Sequence, residues 1–245
     1  MKTLSVLSPS RFNKLLVSDS KNVSRDPVLM FAILMSVVPA LAFVLARQSI
    51  DEAALPAFGL ADFSTYLAPI VLGLPAALIG WVTGFLILEE RDDGPLLALD
   101  TTPVGKAGFT LHRATVTFAI TFLITLVATP RILPGVGFGV VMVLAVFVGL
   151  QAVILAFAIP AIARNKVEGL AVTKILNTAA IIPLLALLPS PLRYLAGFVP
   201  NFWLGELLEL SSRLYLTKSL IIAAGLVIHI VVLWLFFRLL ERRAG

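Results

Sequence analysis

Six stretches of this chain are apolar over roughly the thickness of a bilayer: residues 28–46, 63–88, 114–129, 136–163, 170–188 and 219–240. A hydrocarbon core about 30 Å thick is crossed by about 20 helical residues, and backbone inside lipid must satisfy its own hydrogen bonds. Only helices or a closed barrel can do so, and runs of this length fit helices. Soluble domains carry about 25% charged residues; here 13% of 245 residues are charged and 59% are hydrophobic. The expected fold is an all-α membrane protein with six transmembrane helices in one domain, with no separate soluble unit.

The same composition narrows the chemistry. Cysteine is absent, so disulfides, thiolate metal sites and redox dithiols are excluded. His112 and His229 lie far apart in sequence, which argues against a metal cluster. The net charge of +5 fits lysines and arginines on cytoplasmic loops rather than a nucleic-acid surface. Residues 1–27 are polar, with Lys2, Arg11, Lys14, Lys21 and Arg25, and lack the apolar core of a cleaved leader. The first span is expected to serve as an uncleaved signal anchor.

Along the chain, Ser8-Pro9-Ser10 resembles a helix start, and Phe12, Leu15 and Leu16 fall on one helical face beside Arg11 and Lys14. That pattern suits an amphipathic helix lying in the interface, with a cytoplasmic tail as the alternative. Pro39 lies inside span one, and residues 47–62 are polar enough for a loop. Span two contains Pro69, Pro75, Gly73, Gly80 and Gly84, which fit either a helix-packing seam or a bending point. Residues 130–135 are turn-rich, and residues 164–169 form a short charged loop. The segment 189–218 holds prolines with Tyr194, Trp203 and Tyr215, aromatics suited to the headgroup level. There Trp203, Leu204, Leu207 and Leu208 can share a face, with Glu206 and Glu209 off it, in an outer re-entrant or interfacial helix pair. Six spans put both termini on one side. With the termini inside, Lys and Arg divide 14 against 5 in favour of the inner face, so both termini are expected in the cytoplasm.

One segment interrupts the hydrocarbon. Residues 89–103 hold five of the fourteen acidic residues: Glu89, Glu90, Asp92, Asp93 and Asp100. Acids gain nothing from the dipole at the end of a long helix, and Arg91 can balance them. Gly94-Pro95 breaks the helix. Leu96, Leu97 and Leu99 restart a short apolar-faced element that ends at Thr101-Thr102-Pro103. It reads either as a transverse helix gripped by a partner or as a solvated turn anchored by leucines.

Catalytic motifs fail on their spacing. There is no phosphate-binding G-x-x-x-x-G-K-[ST], no H-E-x-x-H and no G-x-S-x-G. Glu89-Glu90 begins like the E-E-x-x-x-R of intramembrane CAAX-type proteases, but Gly94 stands where the arginine belongs. His229 follows Gly225, not phenylalanine, four residues on. His229 and Gln151 are polar groups inside spans, so each is a candidate for a translocation path or a satisfied packing residue. Lys174 can snorkel to the inner interface. No span carries a row of acids, as a proton-driven carrier would.

The run from Glu89 to Pro103 resembles the E-x-E-x-G-T-x-x-x-L-x-x-T-P stretch that precedes and forms the coupling helix in permease subunits of type 2 ATP-binding-cassette exporters. Pro95 replaces the usual threonine, and the first acids are shifted. The run from Ala163 to Lys174 is similar to the N-K-x-E-G-x-A-x-x-K sequence between spans four and five of many such permeases. The segment from Leu188 to Trp203 resembles their outer proline-aromatic element, and the amphipathic N-terminal helix fits as well. The resemblance implies a multi-pass subunit of the cell membrane, with a cytoplasmic coupling helix between spans two and three. It also implies a second permease copy, as homodimer or sister heterodimer, and separate cytoplasmic ATPase subunits that hold ATP and Mg, leaving this chain without a cofactor and not itself an enzyme. Glu89, Glu90, Asp93, Gly94, Leu96, Leu97, Leu99 and Pro103 would meet the ATPase. Arg164, Asn165, Lys166 and Glu168 would form a second contact, and Gln151 and His229 would lie near the path. Spans with few charges suit hydrophobic or amphipathic cargo: a drug, an antibiotic or a lipid-like molecule. A protease-like membrane enzyme and a non-transporting scaffold are the alternatives.

Overall fold

The structure, a computed structural model, describes residues 9–92, 105–208 and 217–244, and among them it contains helices and turns but no strand. In chain order the helices are α1 (Pro9–Arg25), α2 (Pro27–Met35), α3 (Val38–Phe58), α4 (Phe63–Asp92), α5 (Gly105–Ile132), α6 (Phe138–Ile162) and α7 (Lys166–Asn177). Two 3₁₀ segments, Thr178–Leu187 and Pro191–Ala196, lead to α8 (Phe202–Leu207) and α9 (Lys218–Ala244). Six helical stretches are long and apolar enough to cross a bilayer: Leu29–Phe58, Phe63–Arg91, Gly108–Ile132, Phe138–Ile162, Lys166–Leu187 and Lys218–Arg242.

α6 is the hub. It carries no charged residue and only Gln151 among amide side chains, and most of its length is buried by its neighbours rather than turned to lipid. α4, α5 and α9 pack around it. Toward one end Leu72, Leu144, Phe147, Phe202 and Ile221 close the core; toward the other, Ile87, Val153, Phe157, Ala161 and Leu240 do. The glycines of α4 are a packing seam, since a Cβ on Gly80 would stand 2.7 Å from the Ala152 carbonyl oxygen and one on Gly84 2.9 Å from Ile159 Cδ1. Only a missing side chain lets the two backbones approach that closely. Pro69 and Pro75 lie within α4, which remains one helix of 30 residues.

Four element boundaries differ from the sequence reading. The loop expected over residues 47–62 is helix as far as Phe58, where Gly59, at φ 69°, donates its N–H to the Leu55 carbonyl. The polar residues that suggested a loop instead fasten α3 to the start of α4. Asp51 accepts the Ser64 N–H at 2.7 Å and its hydroxyl at 2.8 Å, and Arg47 Nε donates to Ser64 Oγ at 3.2 Å. Pro39 sits in the first turn of α3, after a two-residue break at Ser36-Val37, rather than inside an unbroken span. α5 is helical from Gly105, well before residue 114 where the third span was expected to begin, and His112 and Arg113 within it are buried against the bundle. The fifth span begins at Lys166 and tightens to 3₁₀ geometry at Thr178.

α1 is helical, and of the apolar residues expected on its face Leu16 is described. With Val23, Leu34, Leu86 and Ile120 it lines a groove of about 440 Å³ beside α2, α4 and α5. Residues 93–104, which include most of the stretch expected to form the coupling helix, lie outside the described residues.

Candidate functional site

α4 and α6 end, and α5 and α7 begin, on one face of the bundle, and their polar residues converge there. The chain leaves α6 at Ala163 and starts α7 three residues later. Asn165 caps α7 by accepting the Glu168 N–H at 3.0 Å, while the Glu168 carboxylate accepts the Arg164 N–H at 2.8 Å. The first bond satisfies a donor that would otherwise be orphaned at the start of α7, and the second ties the turn just before it to the helix.

Arg91, in the last turn of α4, reaches across to the end of α6. Its guanidinium donates to the carbonyls of Pro160 at 2.9 Å, Ala163 at 3.0 Å and Arg164 at 2.6 Å. A cation there also complements the negative end of the α6 dipole. Lys166 pairs with Glu89 at 2.9 Å, with both side chains partly exposed. Arg113 of α5, almost fully buried and stacked on Phe109 at 4.9 Å, pairs with Glu90 at 2.6 Å. Glu89 and Glu90 therefore do not stand free: Glu90 ties α4 to α5, and Glu89 with Arg91 ties it to α6 and α7.

Of the residues expected at an ATPase contact, Glu89 and Glu90 lie in this cluster together with Arg164, Asn165, Lys166 and Glu168. Two stretches separated by more than seventy positions in sequence form one site. Asp93, Gly94, Leu96, Leu97, Leu99 and Pro103 lie outside the described residues. The sequence offers Arg91 only as a balancing charge and does not single out Arg113; their roles depend on which helix ends meet. The side chains of Leu16 and Val23 line the same groove as Arg113, which puts α1 at this face. Leu240, near the end of α9, packs with Ile87 and Ala161, so α9 finishes there too.

Gln151 and His229 are not brought together. His229 is fully buried in α9, with Nδ1 2.7 Å from the Gly225 carbonyl oxygen and its ring 4.8 Å from that of Phe147. Gln151 lines a cavity of about 320 Å³ between α4, α6, the Thr178–Leu187 segment and α9, and His229 does not. α5 buries a file of hydroxyls that sequence reading passed over: Thr117, Thr121, Thr125 and Thr129, spaced by four. Thr125 donates to the Thr121 carbonyl and Thr129 to the Thr125 carbonyl, while Thr83 and Thr117 share a bond of 2.6 Å.

On the opposite face, α8 corrects the expectation that Glu206 points away from the apolar side. All six α8 residues are buried. Glu206 pairs with Arg193 at 2.7 Å with both side chains fully enclosed, and it also accepts the Tyr194 hydroxyl at 3.0 Å. Burial pushes the Glu206 carboxyl above the usual carboxylate range, and the neighbouring guanidinium offsets this only in part. Trp203 lies within the protein rather than among headgroups, its indole N–H bonded to the Gly197 carbonyl at 2.8 Å.

Comparison with known proteins places this architecture. The chain is 26% identical over 229 residues to the fluoroquinolones export permease protein Rv2686c of Mycobacterium tuberculosis (strain ATCC 25618 / H37Rv), an alignment covering 90% of each protein. The corresponding protein of strain CDC 1551 / Oshkosh, fluoroquinolones export permease protein MT2760, matches with the same identity and coverage. The model of the family "Fluoroquinolones export permease protein Rv2686c-like" matches residues 19–237. This six-span membrane chain, a permease subunit of an exporter, belongs to the Rv2686c-like family of fluoroquinolones export permease proteins.

Proposed function

We propose that this chain forms the membrane path of an ATP-driven drug exporter and is driven by separate cytoplasmic ATP-binding-cassette subunits, which supply the ATP and Mg chemistry. The observation that carries this reading is the Arg91 cross-tie. Residues 93–104 join α4 to α5, whose facing ends are held together by Glu90 and Arg113. A push on that connection reaches α6 and α7 through Arg91 and Lys166. Closure of the ATPase subunits on Leu96, Leu97 and Leu99 would thus move four spans together. Arg164, Lys166 and Glu168 would offer a second contact, and a second permease copy, identical or sister, would complete the path. The 14-to-5 distribution of Lys and Arg supports cytoplasmic termini in the cell membrane. The names of the mycobacterial relatives point to fluoroquinolone-type cargo. A protease reading is disfavoured, because Glu89 and Glu90 are both engaged by cations. In addition, His229 lies eleven residues before Leu240, about 16 Å along α9 from the end that meets α4.

Co-purification with the ATPase subunit tests the coupling role. Leu97→Asp should abolish capture of the ATPase and ATP-driven fluoroquinolone export. Unchanged capture and export would overturn the role given to this segment.

A further inference from the structure

Beneath α1 the bundle is left open. A groove of about 440 Å³ runs between α1, α2, α4 and α5. It starts one turn from Glu90 and follows α4 from Leu86 to Ile79, about 10 Å, which keeps it within one half of a hydrocarbon core about 30 Å thick. Met30, Ile33, Leu34 and Ile120 of its lining are exposed, so it opens sideways onto lipid. The polar groups of its floor are already bonded to the protein: Thr83 and Thr117 share a hydrogen bond of 2.6 Å, and Arg113 pairs with Glu90. What they leave to an occupant is hydrocarbon surface. α1 roofs this groove with two chemistries. Leu16, Ser20 and Val23 line it. Lys14, Lys21 and Arg25 are exposed and, at about 100° per residue, fall together on the other side of the helix. α1 as a whole holds four cations and one acid. A helix with its apolar side on the bundle and its cations turned away lies at headgroup level, where each Lys or Arg attracts anionic lipid.

We propose that this groove binds one tail of an anionic phospholipid, with the headgroup held at the level of α1 by Lys14, Lys21 and Arg25. The tail supplies the apolar contact. The cations select the charge, through an attraction that reaches about 8 Å at physiological salt and needs no direct bond. A polar cargo is disfavoured, because the floor's own polar groups are engaged within the protein and a buried polar ligand would lose hydrogen bonds to water. A second copy is disfavoured too, since a two-fold contact at this face would set one cationic α1 beside another. The site needs neither ATPase nor cargo, so it stands or falls apart from the exporter reading. Arg113 lines the groove and also ties α4 to α5, so a bound tail packs against the side chain that joins those helix ends.

The test uses the full chain in phosphatidylcholine nanodiscs that carry a fixed trace of phosphatidylglycerol with a diazirine in its tail. Photo-adducts are mapped by peptide mass spectrometry. Adducts are expected at Met30, Leu34 and Ile120 in the groove, and at Leu235, which is exposed on α9 and reports ordinary surrounding lipid. Replacing about 20 mole per cent of the phosphatidylcholine by unlabelled phosphatidylglycerol should lower the groove adducts at least about fivefold and the Leu235 adducts less than about twofold. Glycerol 3-phosphate, a headgroup without tails, should not compete. In the triple variant Lys14→Gln, Lys21→Gln, Arg25→Gln, whose changes are all on exposed side chains, the drop at the groove should shrink below about twofold. Val116→Phe, which narrows the groove, should remove the groove adducts and keep those at Leu235. Groove adducts as indifferent to phosphatidylglycerol as those at Leu235, meaning bulk lipid only, would overturn the proposal. So would an undiminished drop in the triple variant, adducts displaced by a fluoroquinolone, or no groove adducts at all, as when a second copy closes the groove.

Discussion

Removing Arg193 should expose how much of the outer face rests on one buried ion pair. Its guanidinium is fully enclosed, 2.7 Å from Glu206, and it also donates to the Ala186 carbonyl at 3.0 Å and the Leu188 carbonyl at 3.2 Å. Arg193→Ala therefore leaves a buried carboxylate with only the Tyr194 hydroxyl, and two carbonyls short of a donor. Breaking a buried pair from one side costs about 3–5 kcal/mol, far more than the pair's net contribution against an apolar replacement. For a chain of this size each kcal/mol moves the unfolding midpoint by roughly 2–4 °C, so a drop of roughly 10 °C is expected in detergent, read from tryptophan fluorescence or retention of the monodisperse peak after heating. Arg193→Met combined with Glu206→Met should recover most of it, because no charge is then stranded. The single variant should also respond to pH. Burial already raises the Glu206 carboxyl, and losing the guanidinium raises it further. The folded state then holds this proton more tightly than the unfolded chain does. Its stability is fully present below the unfolded carboxylate value and is lost as pH rises through the raised folded value. The deficit of Arg193→Ala should accordingly shrink on acidification. A midpoint shift under about 2 °C, or a double variant as damaged as the single, would refute this account.

Other outcomes follow from distances already given. Arg91→Ala removes three donors to the end of α6; it should retain the ATPase in pull-downs yet lower ATP-driven export at least tenfold, at a stability cost of about 2 kcal/mol. Gly80→Val places a Cβ 2.7 Å from the Ala152 carbonyl oxygen and should lower stability by about 1–3 kcal/mol, whereas Gly73→Ala, whose Cβ would meet Asn201 Oδ1 at an ordinary 3.7 Å, should fall within about 0.5 kcal/mol of wild type in the same melt. Asn165→Ala deletes the α7 cap and should cost about 1 kcal/mol, with Asn165→Asp restoring it. Lys166→Ala breaks an exposed pair and should leave the midpoint within about 1 kcal/mol of wild type.

The membrane class, the six helices and the broad placement of spans were legible because hydrocarbon length is a local property, written residue by residue. The segments after spans two and four could be singled out for the same reason: charge inside an apolar chain stands out without knowledge of neighbours. Helix ends were less legible. Arg47, Asp51 and Glu52 look like a loop when counted as charges, yet Asp51 and Arg47 serve α4 through Ser64. Glu206 looks solvent-facing by helical periodicity, yet Arg193, thirteen residues away, makes its burial tolerable.

What the sequence determined by itself is that this chain lives in a bilayer as a bundle of helices, carries no nucleotide-binding loop of the usual kind, and presents two polar interruptions beside long spans. Only the tertiary structure decided that those interruptions are one site, with Arg91 and Lys166 joining α4 to α6 and α7. It also decided that Gln151 shares a cavity with Trp81 and Asn201 while His229 does not. The reason is physical: apolar surface commits helices to the bilayer without specifying which neighbours they pack against, whereas a hydrogen bond or ion pair is defined only once donor and acceptor from two distant stretches have been set about 3 Å apart.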